Sequence, residues 1–155
     1  GPTPAQHNWS RGAHPYVYAD QVEQCLPQLP DRRLADRLAA VWADAGATRW
    51  EKPPVWFHGD IAFGNLLTDD AGRLSAVIDF GTSGVGDPAC DLALTWTFLT
   101  GAARAVYRER LGLDDGTWVR GRAWALWKAL ITVAWTSEQD PGGVQTGALR
   151  EVLAD

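Results

Sequence analysis

Methionine is missing altogether from these 155 residues, cysteine occurs only twice and histidine only three times. Cys25 and Cys90 form no Cys-x-x-Cys pair, and with so few ligands a zinc-finger framework is excluded. Positive charge is scarce as well. The formal net charge of −5 weighs against nucleic acid as a partner, because a phosphate backbone is gripped by clustered Lys and Arg. No uncharged hydrophobic run is long enough to span a bilayer: the most apolar stretch, residues 118–135, carries Arg120, Arg122 and Lys128 and reads as a buried or amphipathic helix. These residues show no signal-peptide pattern, lipidation signal or low-complexity tract. The expectation is one soluble domain in a reduced cytoplasmic setting, with no membrane and no nucleic acid as partner. With 46% hydrophobic residues it can bury a substantial core.

What is present is concentrated in the middle of the chain. His58-Gly59-Asp60-Ile61-Ala62-Phe63-Gly64-Asn65 is followed by Val77-Ile78-Asp79-Phe80-Gly81, and then by Gly86-Asp87-Pro88-Ala89-Cys90-Asp91-Leu92-Ala93. Val55-Trp56-Phe57 is a short apolar run before the first motif. Two further strand-like runs, residues 65–67 and 74–80, flank the turn signal Thr68-Asp69-Asp70-Ala71-Gly72. A hairpin brings the start of its first strand to the end of its second, so Asn65 and Asp79 are expected side by side, with Asp60 facing the same spot. Magnesium prefers hard oxygen ligands, usually one or two from the protein and the rest from water and phosphate. An Asn carbonyl with one carboxylate suits such an ion, and an unpaired carboxylate at the end of an apolar strand favours a metal or a strong hydrogen-bond partner.

This motif set resembles the C-terminal lobe of the aminoglycoside phosphotransferase family, relatives of choline kinases and of eukaryotic protein kinases. Their catalytic loop reads H-[GR]-D-x-x-x-x-N and their metal loop D-x-G. The resemblance is tight over roughly residues 55–99 and carries by helical character elsewhere; three motifs in order and spacing make it specific. It implies that Asp60 is the catalytic Asp, that Asn65 and Asp79 bind Mg2+, and that the phosphoryl donor is ATP or GTP. His58 is implied to orient the loop and Asp91 to bond backbone near it. Asp87 reads as a helix cap that also steadies residues 81–86. Where many relatives have Leu-His-Pro after the catalytic Asp, this chain has Ile61, Ala62 and Phe63. Upstream of His58 there is no Gly-rich nucleotide loop, no strand Lys and no helix Glu, and Pro53-Pro54 after Lys52 argues against a central strand there. The expectation is therefore a piece of a longer kinase whose N-terminal lobe lies outside this chain.

The remaining pattern is helical. Residues 1–15 read as a linker or former lobe connection, and residues 16–155 as the lobe itself. A short helix is expected over residues 20–26. A second is capped by Asp31, with Leu34, Leu38, Val41, Trp42 and Ala45 on one face, and closes at Gly46. Asp87 and Pro88 open a helix that is apolar all round to about Leu99. Others follow over residues 102–111, 117–137 and 144–153. Nine Trp is a high count; Trp42, Trp96, Trp124, Trp127 and Trp135 fall on apolar faces and are expected in the core. The G-x-x-G-x-G spacing of residues 81–86, with Asp87 at the following helix start, speaks against a dinucleotide-binding turn. The predicted fold is α+β and mostly helical, a protein-kinase-like C-terminal lobe with a small β-hairpin carrying the catalytic and metal loops.

The resemblance implies transfer of the terminal phosphoryl group of a nucleoside triphosphate to a hydroxyl of a small molecule, an aminoglycoside or similar antibiotic first. An acidic surface would concentrate such a polycation. The region after Gly101 builds the acceptor pocket in the family, which makes Asp114, Asp115, Glu138 and Asp140 candidates for amine recognition. Two alternatives stand beside this reading. One is a non-catalytic ligand- or partner-binding fragment without its nucleotide lobe; the other is a related kinase acting on choline, homoserine, a macrolide or a fructosamine, since the motif handles the phosphate and not the acceptor.

Overall fold

Local chemistry sets the first long helix. In the computed structural model, which describes residues 2–140 and 142–155, the Asp31 carboxylate accepts from the Arg33 and Leu34 N–H groups at 2.9 and 3.2 Å and opens a helix over Arg32–Gly46. Its buried stripe is Ala35, Leu38, Val41, Trp42 and Ala45, while Leu34 is only half-buried. In chain order the elements are α1 (Ala19–Cys25), α2 (Arg32–Gly46), β1 (Val55–Phe57), β2 (Leu66–Thr68), β3 (Leu74–Val77) and β4 (Gly84–Gly86). A 3₁₀ run over Pro88–Ala93 then leads into α3 (Leu94–Thr97), followed by α4 (Gly101–Leu111), α5 (Asp115–Trp135) and α6 (Val144–Ala154). The result is a mostly helical α+β fold with two small antiparallel sheets, β1 with β4 and β2 with β3, compatible with a kinase-like C-terminal lobe. No helix among the described residues is long and apolar enough to cross a membrane.

The core is built around α5. Trp118, Trp124, Leu126 and Leu130 are all buried, and the helix packs on the Pro88–Ala93 run, α6, α2 and α1. At Gly121 the approach is so close that a Cβ would stand 2.6 Å from Leu92 Cβ. Residues 88–99 do not form the single α-helix expected from their apolarity: the first six are wound as 3₁₀, and Phe98 is exposed. Packing on two sides overrides the helical pattern, since Leu92 is pressed against Gly121 while the Asp91 side chain is bonded to the loop after β1.

Residues 2–15, expected as a linker or former lobe connection, are packed onto the rest of the fold. Asn8 and Pro15 are buried, the Pro2 carbonyl accepts from Val85 N and the Gly12 carbonyl from Asp87 N, both at 2.8 Å. Gly1 of that segment lies outside the described residues. The same contacts explain β4, which a Gly-rich sequence with one β-branched residue does not announce. A Cβ at Gly84 would meet the Pro2 carbonyl at 2.6 Å, so the absent side chain is what admits the N-terminal segment. Trp135, expected in the core, is 44% exposed, whereas Trp118 is buried.

Candidate active site

Three backbone segments meet at the loop that follows β1. Gly59 has φ 91°, and a Cβ there would come within 2.5 Å of the Thr82 carbonyl, so the loop and the turn over Phe80–Thr82 touch main chain to main chain. Asp91 reaches across from the 3₁₀ run and accepts from His58 N at 2.8 Å and Gly59 N at 2.7 Å. Burial pushes its carboxyl above the usual range, against the two N–H groups that favour the charged form. His58 is buried; its Nδ1 accepts from Asp60 N at 3.2 Å, so Nε2 carries the proton and donates to the Ile78 carbonyl at 2.9 Å. With both ring nitrogens engaged, His58 holds the loop against β3 and is not free to act as a base.

Asn65 completes the junction. Its Nδ2 donates to the Asp60 carbonyl at 2.8 Å and to Asp60 Oδ2 at 3.3 Å, and its own carbonyl accepts from Ile78 N at 3.0 Å. The hairpin of β2 and β3, with Leu66 opposite Val77, thereby brings Asn65 beside the residue that precedes Asp79. Asp79 itself adopts φ 64° and ψ 65°, a left-handed conformation unusual outside glycine. Its carboxylate is exposed and not buried at a strand end, which corrects the argument from desolvation cost. Among the described residues no group of three or more His, Cys, Asp or Glu could hold a metal alone. Any ion here would draw on the side-chain oxygen Oδ1 of Asn65, the Asp79 carboxylate, water and phosphate, and those hard oxygen donors fit magnesium.

Sequence reasoning missed the two cations of the site. Lys128 Nζ stands 2.8 Å from Asp60 Oδ1 in a half-buried ion pair. Partial burial pushes the Asp60 carboxyl up, but the hydrogen bond and charge of Lys128, with help from Arg11 and Asn65, outweigh it and hold the group below the ordinary carboxylate range. Arg11 donates from Nε to the Gly59 carbonyl at 2.7 Å, and its guanidinium lies 5.1 and 5.0 Å from the ring centroids of Trp124 and Trp127. A signal for Lys128 existed: Arg120, Trp124 and Lys128 are spaced by four on one helix face, and a cation in an apolar stripe needs a partner. Lys128→Met is expected to move the Asp60 carboxyl titration to higher pH, because a depressed folded-state pKa rises when its stabilising cation is removed. Carboxyl carbon NMR across the acid range checks this, and an unmoved titration would show that Lys128 does not set the charge state of Asp60.

Arg120 is the first residue of that stripe. It is 0% exposed and pairs through Nε with Asp87 Oδ2 at 2.6 Å, while Asp87 Oδ1 accepts from Ala89 N at 3.0 Å. Asp87 is therefore a cap and, beyond the sequence reading, one half of a buried ion pair.

A cavity of about 470 Å³ opens beside Asp60, with Lys128 and Arg11 on its wall. None of the four downstream acids lines it. Asp114 caps α5 through Thr117 N and pairs with Lys52 at 2.7 Å, a contact that holds its carboxyl down to about 2. Asp115 is exposed in the first turn of α5 and Glu138 is exposed after it. Asp140 accepts from Gln145 N and Thr146 N at 2.9 and 3.0 Å at the start of α6. Two of the four are thus taken up by helix capping, which Asp serves readily because its short side chain reaches the free N–H groups.

The model of the APH phosphotransferase enzyme family matches residues 2–129 of the sequence. The chain belongs to this family. The matched span holds every member of the junction around Asp60, Lys128 included. In this phosphotransferase α5 runs on past the matched span, and Ile131, Thr132 and Trp135 of the cavity wall lie in that extension. No curated protein matches the sequence.

Proposed function

We propose that this chain is the catalytic lobe of a kinase that moves the terminal phosphoryl group of ATP or GTP, with Mg2+, onto a hydroxyl of a small molecule. The observation that carries the reading is the stitching of Asp60, Asn65 and the Ile78-Asp79 step into one junction by the Asn65 amide, the Asn65 carbonyl and the His58 ring. Asp60 is the base. Its Oδ1 is anchored by Lys128, and Oδ2, which accepts from Asn65 Nδ2 at 3.3 Å, keeps a second lone pair to accept the hydroxyl proton and aim the oxygen. The acceptor oxygen bonds the terminal phosphorus as the bond to the bridging oxygen breaks; the nucleoside diphosphate leaves, and the hydroxyl proton passes to Asp60. Asn65 and Asp79 would hold the magnesium ion, which neutralises phosphate charge when bound with the nucleotide. The left-handed backbone at Asp79 supports a functional role, since such strain persists where surrounding structure enforces it. Leu67, Leu74, Ile78 and Phe80 are exposed around the same hairpin, an apolar face that the nucleotide and an upstream lobe would cover.

The test is phosphorus NMR of an acceptor panel with nucleotide, run with the 155-residue chain and with the full-length encoded protein. A phosphomonoester signal that disappears when magnesium is chelated is expected. Absence of product from both proteins across the panel would defeat the reading.

A further inference from the structure

The wall of the cavity beside Asp60 is aromatic and carries positive charge. Trp9, Tyr18, Trp127 and Trp135 line it together with Ile131, and Trp9 and Trp135 are 66% and 44% exposed. Large indoles left open to solvent are costly unless something covers them, and here they share one concavity. Asp60 is the sole carboxylate among the lining residues, and it faces Arg11 and Lys128, so the formal charge of the wall is positive. Its remaining polar groups are uncharged: the hydroxyls of Tyr18, Thr82, Thr132 and Thr136, the amides of Gln21 and Gln139, and the N–H groups of the indoles. Glu138 precedes Gln139 but does not line the space.

A polycation has little to recognise it here. Each added ammonium group would meet two fixed cations inside a partly desolvated space, where like charges repel more strongly than in water. The one carboxylate that could offset this is already paired at 2.8 Å with Lys128. A flat apolar body, by contrast, can stack on the indoles while threonine and glutamine side chains bond its hydroxyls, the usual division of labour in a ligand pocket of this size.

We infer that the acceptor of this phosphotransferase is a hydroxyl compound with an aromatic or otherwise apolar body and without multiple positive charges. The inference rests on the kinase reading and replaces the aminoglycoside expected from sequence resemblance. The region after Gly101 contributes to the pocket through Trp127, Ile131, Thr132 and Trp135 of α5 and Thr136 just beyond it, and not through its acids.

Two sugar-based probes separate the classes: phenyl β-glucoside, neutral with an aromatic ring, and kanamycin, a polyamine. Each is titrated at equal millimolar concentrations into the nitrogen-15-labelled chain without nucleotide, following the tryptophan indole N–H signals. Phenyl β-glucoside should shift the Trp127 and Trp135 signals and kanamycin neither. Trp135→Ala should weaken phenyl β-glucoside binding about threefold to tenfold, the size of one aromatic stacking contact. Trp9→Ala, at a still more exposed position, repeats the test with less risk to folding. Stronger shifts from kanamycin, no shifts from either probe, or unchanged binding in both variants would each overturn the inference. The kinase reading fails separately. Indole shifts without any phosphorylated product from the full-length protein would leave the pocket's preference standing, whereas phosphorylated kanamycin would keep the kinase and overturn the acceptor class.

Discussion

Asp60→Asn lowers turnover of the complete enzyme by at least about a hundredfold with little change in nucleotide affinity, the range lost when a positioned base is removed. The asparagine keeps the size of the side chain but cannot take the hydroxyl proton, and its neutral amide gives Lys128 Nζ, now 2.8 Å from Oδ1, no charge to pair with. Nucleotide binding should persist, because Asn65 and Asp79, proposed to hold the metal and through it the phosphates, remain, and Asn65 keeps its shorter bond, at 2.8 Å, to the Asp60 main-chain carbonyl. The loop should persist as well, since His58 and Asp91 hold it through main-chain groups that do not involve the Asp60 carboxylate. Steady-state rates with a phosphorylated acceptor, together with nucleotide affinity from calorimetry, separate the two effects. Near-normal turnover would remove Asp60 from the base role, and a large loss of nucleotide affinity would move it to the phosphate side of the site.

Arg120→Ala destabilises the fold by about 3–5 kcal/mol, the cost of stranding one partner of a buried ion pair. Arg120 and Asp87 are 0% and 5% exposed, and their 2.6 Å contact lies where α5 crosses the start of the Pro88–Ala93 run. Removing the guanidinium leaves Asp87 charged in a site that water reaches poorly. The Arg120 Nη1 atom has no hydrogen-bond partner among the described residues. Replacing both residues, Arg120→Met with Asp87→Asn, should recover part of the loss, since no buried charge then remains uncompensated. Urea unfolding of the three proteins checks this, and a single variant within about 1 kcal/mol of the parent, the range of an exposed pair, would show that the pair is effectively solvated. The consequence for the site is indirect but close at hand: Asp87 opens the segment whose Asp91 fixes His58 and Gly59, four residues further on.

Much of the architecture is legible from local chemistry because it is local. Asp31 and Gly46 bound α2, Gly112 at φ 56° stops α4, and the Asp69 carboxylate accepts from Ala71 N and Arg73 N in the turn that joins β2 to β3. Each of these acts within a few residues, and residue type alone predicts it. The order of Asp60, Asn65 and Asp79 and the hairpin between the last two could be read the same way.

What failed to show was set by partners far along the chain. β4 is a strand because Pro2 and Phe57 crowd Gly84; Arg11 belongs to the site because Gly59 and two indoles of α5 receive it; and Lys128 meets Asp60 across 68 positions. The acids after Gly101 looked like a recognition surface because composition counts charges without saying what they face, and the fold spends Asp114 and Asp140 on helix ends. Sequence alone therefore determined the family, the helical frame and the order of the phosphoryl-transfer motif, since these depend on spacing and local propensity. Tertiary structure alone decided that Lys128 sits on Asp60, that Arg11 reaches Gly59 and which indoles wall the cavity, because those contacts depend on how α5 crosses the loop after β1.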